Sequence, residues 1–249
     1  MRVFYCTLIF IISAKFILAQ SNLVDDSTIN SNIVNNSDSL FFAYFYEPFP
    51  QKVGESIIQF GGSFILLPTP DLEEYPVPAI ELQYKYGLMK NVSLVSSLST
   101  NYFSSLLQSG LQWNINSSRL SFGLANHLGG FLGTYHLDMF EDNFAYSFMD
   151  MPIIRLGIRA DEFSASISLG ATYIFTSSSK VGDLTAPGPE GVWNDFNLTL
   201  AIEQPMIRRT IISIGLSLEF SRSPYQAWFF YDTIDEYRSV PKFFFAIQL

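Results

Sequence analysis

Between Ser56 and Leu249 segments recur in which every second side chain is apolar, and the residues between them are mostly Ser, Gly, Thr, Asn and Gln. A period of two is the period of a strand, whose successive side chains leave opposite faces. The clearest run sets Phe163, Ala165, Ile167, Leu169, Ala171, Tyr173 and Phe175 against Ser164, Ser166, Ser168, Gly170 and Thr172. Ten such segments are readable, over 56–66, 78–87, 92–102, 107–115, 119–128, 154–159, 163–175, 195–203, 212–220 and 242–249. A soluble sandwich also alternates, but its solvent face is commonly rich in Lys and Glu. Here the minority face is small and neutral, which suits a crowded polar lumen inside a lipid-facing apolar wall. The expected fold is all-β, an antiparallel up-and-down transmembrane β-barrel of about ten strands. Twelve remain open if Leu40–Pro50 and Tyr225–Tyr231 also pair.

Composition removes the rivals. Hydrophobic residues make up 48% and charged residues 15%, against a usual charged share of about 25%. Mean hydropathy is +0.21, yet beyond the first twenty residues no apolar run reaches the roughly 18 that a spanning helix needs. With 23 acidic and 14 basic residues, the chain has no phosphate-neutralising face, so nucleic acid is not an expected partner.

The opening stretch, with Arg2, an apolar core from Val3 to Ile12 and Ala19 as a small residue, reads as a signal peptide over 1–19. The lone cysteine, Cys6, lies inside that core, so the exported chain carries no disulfide. Residues 20–39, rich in Ser, Asn and Asp, read as a flexible tail. Residues 40–53 begin with LFFAYFYEPFP, apolar on both faces. This segment is expected to lie along the periplasmic interface, where aromatic rings are favoured, or to plug the periplasmic mouth. Residues 54–249 form the barrel.

The joins alternate in length, except that the join near Phe103-Ser104 is short where a long one is due. Short turns fall near Met89-Lys90, Asn116-Ser117, Ala160-Asp161 and Gln204 to Arg209; longer joins run Leu67 to Tyr75, Gly129 to Phe148, Thr176 to Val192 and Arg222 to Pro241. Outer-membrane barrels show that asymmetry, with short turns at the periplasm. With this pattern, the signal peptide and the ending KFFFAIQL, the chain resembles the small Gram-negative outer-membrane β-barrel proteins. The phrase IELQYKYGLMKNVSL adds a weak likeness to uncharacterised members; the final Leu249 departs from their usual terminal Phe. The resemblance implies residence in the bacterial outer membrane, contact with its lipid, and recognition of the last strand by the barrel assembly machinery.

Alternation also assigns the charges. Glu81, Lys85, Arg119, Arg155, Arg159, Glu203 and Glu219 face the lumen, either as salt bridges filling a closed barrel or as a constriction that selects ions. Trp193, Tyr225, Trp228, Tyr231 and Tyr237 gather at an outer aromatic rim, as a girdle or a recognition patch. The expected role is passive: a narrow pore, or a structural or surface-recognition barrel. The alternatives are a hydrolase with a rim His and acid site drawn from His127, His136, Asp138, Glu141 and Asp142, or a soluble exported β-sandwich. No catalytic set, cofactor or metal site is expected. Two histidines without an exported cysteine give no zinc spacing, and TAPGPEG lacks the ending of a phosphate cradle.

Overall fold

The computed structural model describes residues 43–68, 74–137, 140–160, 163–181, 184–206, 210–225 and 236–249. The expected signal peptide and tail lie outside the described residues.

One antiparallel sheet closes on itself. Its strands are β1 (Ser56–Pro68), β2 (Glu74–Met89), β3 (Val92–Thr100), β4 (Ser104–Ser117), β5 (Leu120–Leu137) and β6 (Phe140–Arg159). They continue with β7 (Ser164–Val181), β8 (Leu184–Pro187), β9 (Val192–Pro205), β10 (Ile211–Ser221) and β11 (Arg238–Gln248). Each strand of the wall pairs with its chain neighbours, and β1 joins β11 through pairs running from Gln59↔Gln248 to Ile65↔Lys242. The four-residue β8 pairs with β7 alone, so ten strands make the barrel. Closure removes the free edges that an open sheet would present to lipid.

The faces follow the alternation. On β1, Phe60 and Phe64 are each 51% exposed on the outside, while Gln59 and Ser63 are buried inside. On β10, Ile214 is 62% exposed outside, with Ser213 and Ser217 buried inside. Exposed Leu, Ile and Phe continue round the wall on β2, β4, β5, β6, β7, β9 and β11. A continuous apolar belt of this extent is stable against hydrocarbon and not against water. The chain is therefore an outer-membrane β-barrel in contact with lipid, and the soluble sandwich is excluded.

Two of the short turns need left-handed backbone, at Asn91 (φ 67°) between β2 and β3 and at Ser118 (φ 33°) between β4 and β5. The prolines within strands sit where pairing is one-sided: Pro76 and Pro78 pair with β1 but lie beyond the first β3 partner, Ile80↔Thr100. Proline lacks the N–H that a second neighbour would use.

Several strands are longer than the segments read from the sequence. β5 has 18 residues, β6 has 20 and β7 has 18, so the expected joins Gly129 to Phe148 and Thr176 to Val192 are largely strand. In β6 the alternation itself continues there, with Phe144, Tyr146 and Phe148 exposed and Ala145, Ser147 and Met149 buried. The stretch from Ala43 to Pro50 is not a strand, which removes the expected twelve-strand alternative; residues 226–231 lie outside the described residues.

Candidate functional site

The segment Ala43 to Gln51 lies against the inward faces of the strands, at the end of the barrel where the short turns gather. Its anchor is Glu203 on β9. Three successive backbone N–H groups donate to this carboxylate: Phe45 to Oε1 at 2.8 Å, Tyr46 to Oε2 at 2.8 Å and Glu47 to Oε2 at 3.0 Å. The Ser213 hydroxyl adds a bond to Oε1 at 3.1 Å, and Gln59 Nε2 donates to Ser213 Oγ at 2.8 Å. Lys85 on β2 serves the opposite polarity. Its ammonium donates to the carbonyls of Tyr44 (3.4 Å), Phe45 (3.4 Å) and Glu47 (3.2 Å). Buried backbone groups need such partners, and here two barrel side chains supply them where no strand partner exists.

Glu47 closes the other side. Arg159 on β6 donates to its Oε2 from Nε at 2.9 Å and Nη2 at 2.6 Å. The same guanidinium lies over the rings of Phe49 (4.0 Å) and Tyr44 (5.0 Å), a favourable stack for a planar cation. Lys85, Glu47 and Glu203 are all fully buried, and buried charges persist only when paired and hydrogen-bonded. Space for the segment comes from glycines: a Cβ on Gly157 would stand 2.8 Å from Pro48 Cδ and 2.9 Å from Glu47 Cγ, and one on Gly123 2.6 Å from Pro48 Cβ. Phe45 packs with Ile57 and Val95, and the Tyr46 ring lies 5.0 Å from that of Phe244.

Above this layer Glu81 accepts from Ser63 Oγ at 2.8 Å and forms an ion pair with Lys242. Two apolar clusters then fill lumen-facing positions: Ile65, Leu67, Val77, Ala79 and Val240 on one side, and Leu106, Phe131, Ala145, Met149 and Met151 with Tyr225 on the other.

Most of the lumen charges read from the sequence lie inside. Glu81, Lys85, Arg155 and Glu203 are buried, Arg159 is largely so, and Glu219 is half-buried on the inward face of β10. Arg119 is a correction: it sits in the β4–β5 turn with its side chain exposed, because left-handed Ser118 breaks the strand alternation just before it. Of the outer aromatics, Trp193 and Tyr237 lie on the wall. Trp193 packs 5.2 Å from Tyr173 and 6.2 Å from Phe196, and Phe196 lies 6.0 Å from Tyr237. Tyr225 is a second correction. It packs inside, 5.9 Å from the Phe131 ring, since the chain turns inward after β10 rather than continuing over the rim. Trp228 and Tyr231 lie outside the described residues. His127 is inside the lumen and buried, not at the rim; Asp138 and the side chains of His136, Glu141 and Asp142 lie outside the described residues.

Sequence reasoning missed Glu47 and Lys242 as lumen groups, while alternation sets His127 on the inward face with Ser121 and Gly123. Lys242 shares the parity of Phe244 and Ala246, so alternation alone places it inside. Glu47 stands in a segment without periodicity and has no such signal.

No family model and no curated protein sequence matches this chain. Among solved structures it is similar to the translocator domain of the autotransporter NalP from Neisseria meningitidis, at 6% identity and a TM-score of 0.43, over 80% of this chain and 88% of that one. It is also similar to Ail, the attachment invasion locus protein of Yersinia pestis, at 12% identity and a TM-score of 0.28, over 79% and 97%. A mutant porin of Rh. blastica aligns at 7% identity and a TM-score of 0.22, over 78% and 98%. The membrane assignment rests on the closed wall and its apolar belt.

Proposed function

We propose that this barrel works as a sealed structural or surface-presenting element of the outer membrane, with its own N-terminal segment as a resident plug. One observation carries the reading: the backbone of residues 45–47 is captured by Glu203 and Lys85 while Glu47 is captured by Arg159, all within the lumen. Such a plug replaces water along the axis, and the apolar clusters above it add a second barrier. Its role is passive, and the lumen charges Lys85, Arg159 and Glu203 are structural partners of the segment rather than an ion selector. The wall-facing strand β11, with Phe243, Phe245 and Ile247 outward, is the segment we assign to recognition by the barrel assembly machinery.

The test is conductance of the full chain in planar bilayers. The intact protein is expected to show no steps above the lipid background, and the double substitution Glu203→Gln with Arg159→Gln, which frees the segment, is expected to introduce them. Stable conductance steps in the intact protein would establish the narrow pore instead.

A further inference from the structure

We infer that the lumen holds a binding site for a small oxyanion, a carboxylate or a phosphate, between Arg155, Asn114 and His127, directly above the N-terminal segment. Register places these groups together. Asn114 on β4 pairs with Gly123 on β5, and Gly123 pairs with Arg155 on β6. Gly123 has no side chain, and the space beside it is taken by Pro48, with Asn114 Oδ1 next to it, so Asn114 and Arg155 stand on either side of Pro48. The next inward residue on β5 is the small Ala125, and His127 follows it. Ala125 thus lies between Pro48 of the plug below and His127 above, with Asn114 and Arg155 on the neighbouring strands.

Several donors there, and the neighbouring acceptor Gln112 Oε1, have no partner among the described residues; the Gln112 amide nitrogen donates to Asn114 Oδ1 at 2.6 Å. Among the described residues, Arg155 Nε and Nη1, Asn114 Nδ2 and both ring nitrogens of His127 are buried without a hydrogen-bond partner. Arg155 is 9% exposed and His127 2%. A neutral imidazole always keeps one N–H, so all three side chains offer a proton. The acidic groups with electrostatic reach to Arg155 are Tyr46 and Glu203; the Tyr46 hydroxyl accepts from Gln83 Nε2, and the Glu203 oxygens already take three backbone N–H groups and a serine hydroxyl. Glu47 is engaged by Arg159. Around the plug the cations Lys85, Arg155 and Arg159 thus face the carboxylates Glu47 and Glu203, and Arg155 holds the unmatched charge. A guanidinium presents a planar fork that suits a two-oxygen anion, while Asn114 and His127 supply the lateral donors that an oxyanion requires.

The experiment uses the full chain refolded in phosphatidylcholine vesicles, with the unfolded fraction followed by gel mobility across a urea series. Inorganic phosphate or acetate is present throughout, against sodium chloride of equal ionic strength. A ligand held only by the folded state lowers the unfolded fraction about 100-fold at 100 times its Kd. The intact chain should show a saturable fall, and a response to phosphate alone or acetate alone identifies which source the site takes. Arg155→Met should abolish the response. Asn114→Asp, close in shape, places a carboxylate beside Arg155, so it should unfold at higher urea without added anion and respond to neither probe. A flat response in the intact chain, or an equal one in Asn114→Asp, overturns the site.

Discussion

Replacing Glu203 by Gln removes one charge and one acceptor at nearly constant shape. In the native protein three N–H groups, from Phe45, Tyr46 and Glu47, reach the carboxylate at 2.8, 2.8 and 3.0 Å. The amide oxygen of Gln best replaces Oε2, which keeps the bonds from Tyr46 and Glu47 but turns an NH2 toward Phe45. The two retained bonds fall from charge-assisted to neutral, at about 0.5–1 kcal/mol each, and the orphaned N–H costs about 1–3 kcal/mol. The docked segment should therefore lose about 3 kcal/mol, roughly a hundredfold in its opening equilibrium at 1.4 kcal/mol per tenfold. Amide hydrogen exchange over residues 43–49, in protein refolded into vesicles, reads that equilibrium directly. Exchange there should quicken roughly a hundredfold while β1, β10 and β11 keep their protection. Unchanged exchange over 43–49, or equal quickening over the whole barrel, would refute the argument that Glu203 holds the segment.

Other substitutions probe the remaining supports. Gly157→Ala puts a methyl 2.8 Å from Pro48 Cδ, so it should cost about 1–3 kcal/mol of docking, read as the same local rise in exchange. Lys242→Met leaves Glu81 buried without its ion-pair partner and should destabilise the barrel by about 3–5 kcal/mol, whereas Lys242→Met with Glu81→Met should recover most of that loss in urea titrations. Leu200→Arg places a charge on the lipid-facing wall, where Leu200 is 47% exposed and pairs mid-strand with Leu216 and Ile167, and should cost about 2–4 kcal/mol in vesicles.

The wall was legible because one physical constraint, lipid outside and a crowded lumen inside, writes itself into every second residue. Ile212, Ile214 and Leu216 against Ser213, Gly215 and Ser217 is enough to place β10. The same rule puts Lys85, Arg155 and Glu203 inside, where they are buried. It failed where that constraint lapses. Arg119 follows a left-handed turn residue, so parity no longer applies to it. The upper halves of β5 and β6, by contrast, keep the alternation, with Phe144, Tyr146 and Phe148 outward and Ala145, Ser147 and Met149 inward, and reading 129–148 as a join passed over it. The seat of residues 43–51 is set by contacts more than a hundred residues distant, such as Phe45 with Glu203 and Glu47 with Arg159. The aromatic, non-alternating sequence EPFP signals that the segment needs cover. Which cover it finds depends on glycines at 123 and 157, whose role appears only when the strands stand side by side.

The most direct measurement is a nitroxide scan along β7, one cysteine at a time from Ser164 to Gly170 in membranes, with collision rates for oxygen and for an aqueous nickel chelate. Oxygen, which concentrates in hydrocarbon, should collide most at Ala165, Ile167 and Leu169, with minima at Ser164, Ser166 and Ser168 and little nickel contact at the maxima. Nickel collisions peaking at Ile167 and Leu169 would mean that the apolar wall faces water, and the membrane barrel would not stand.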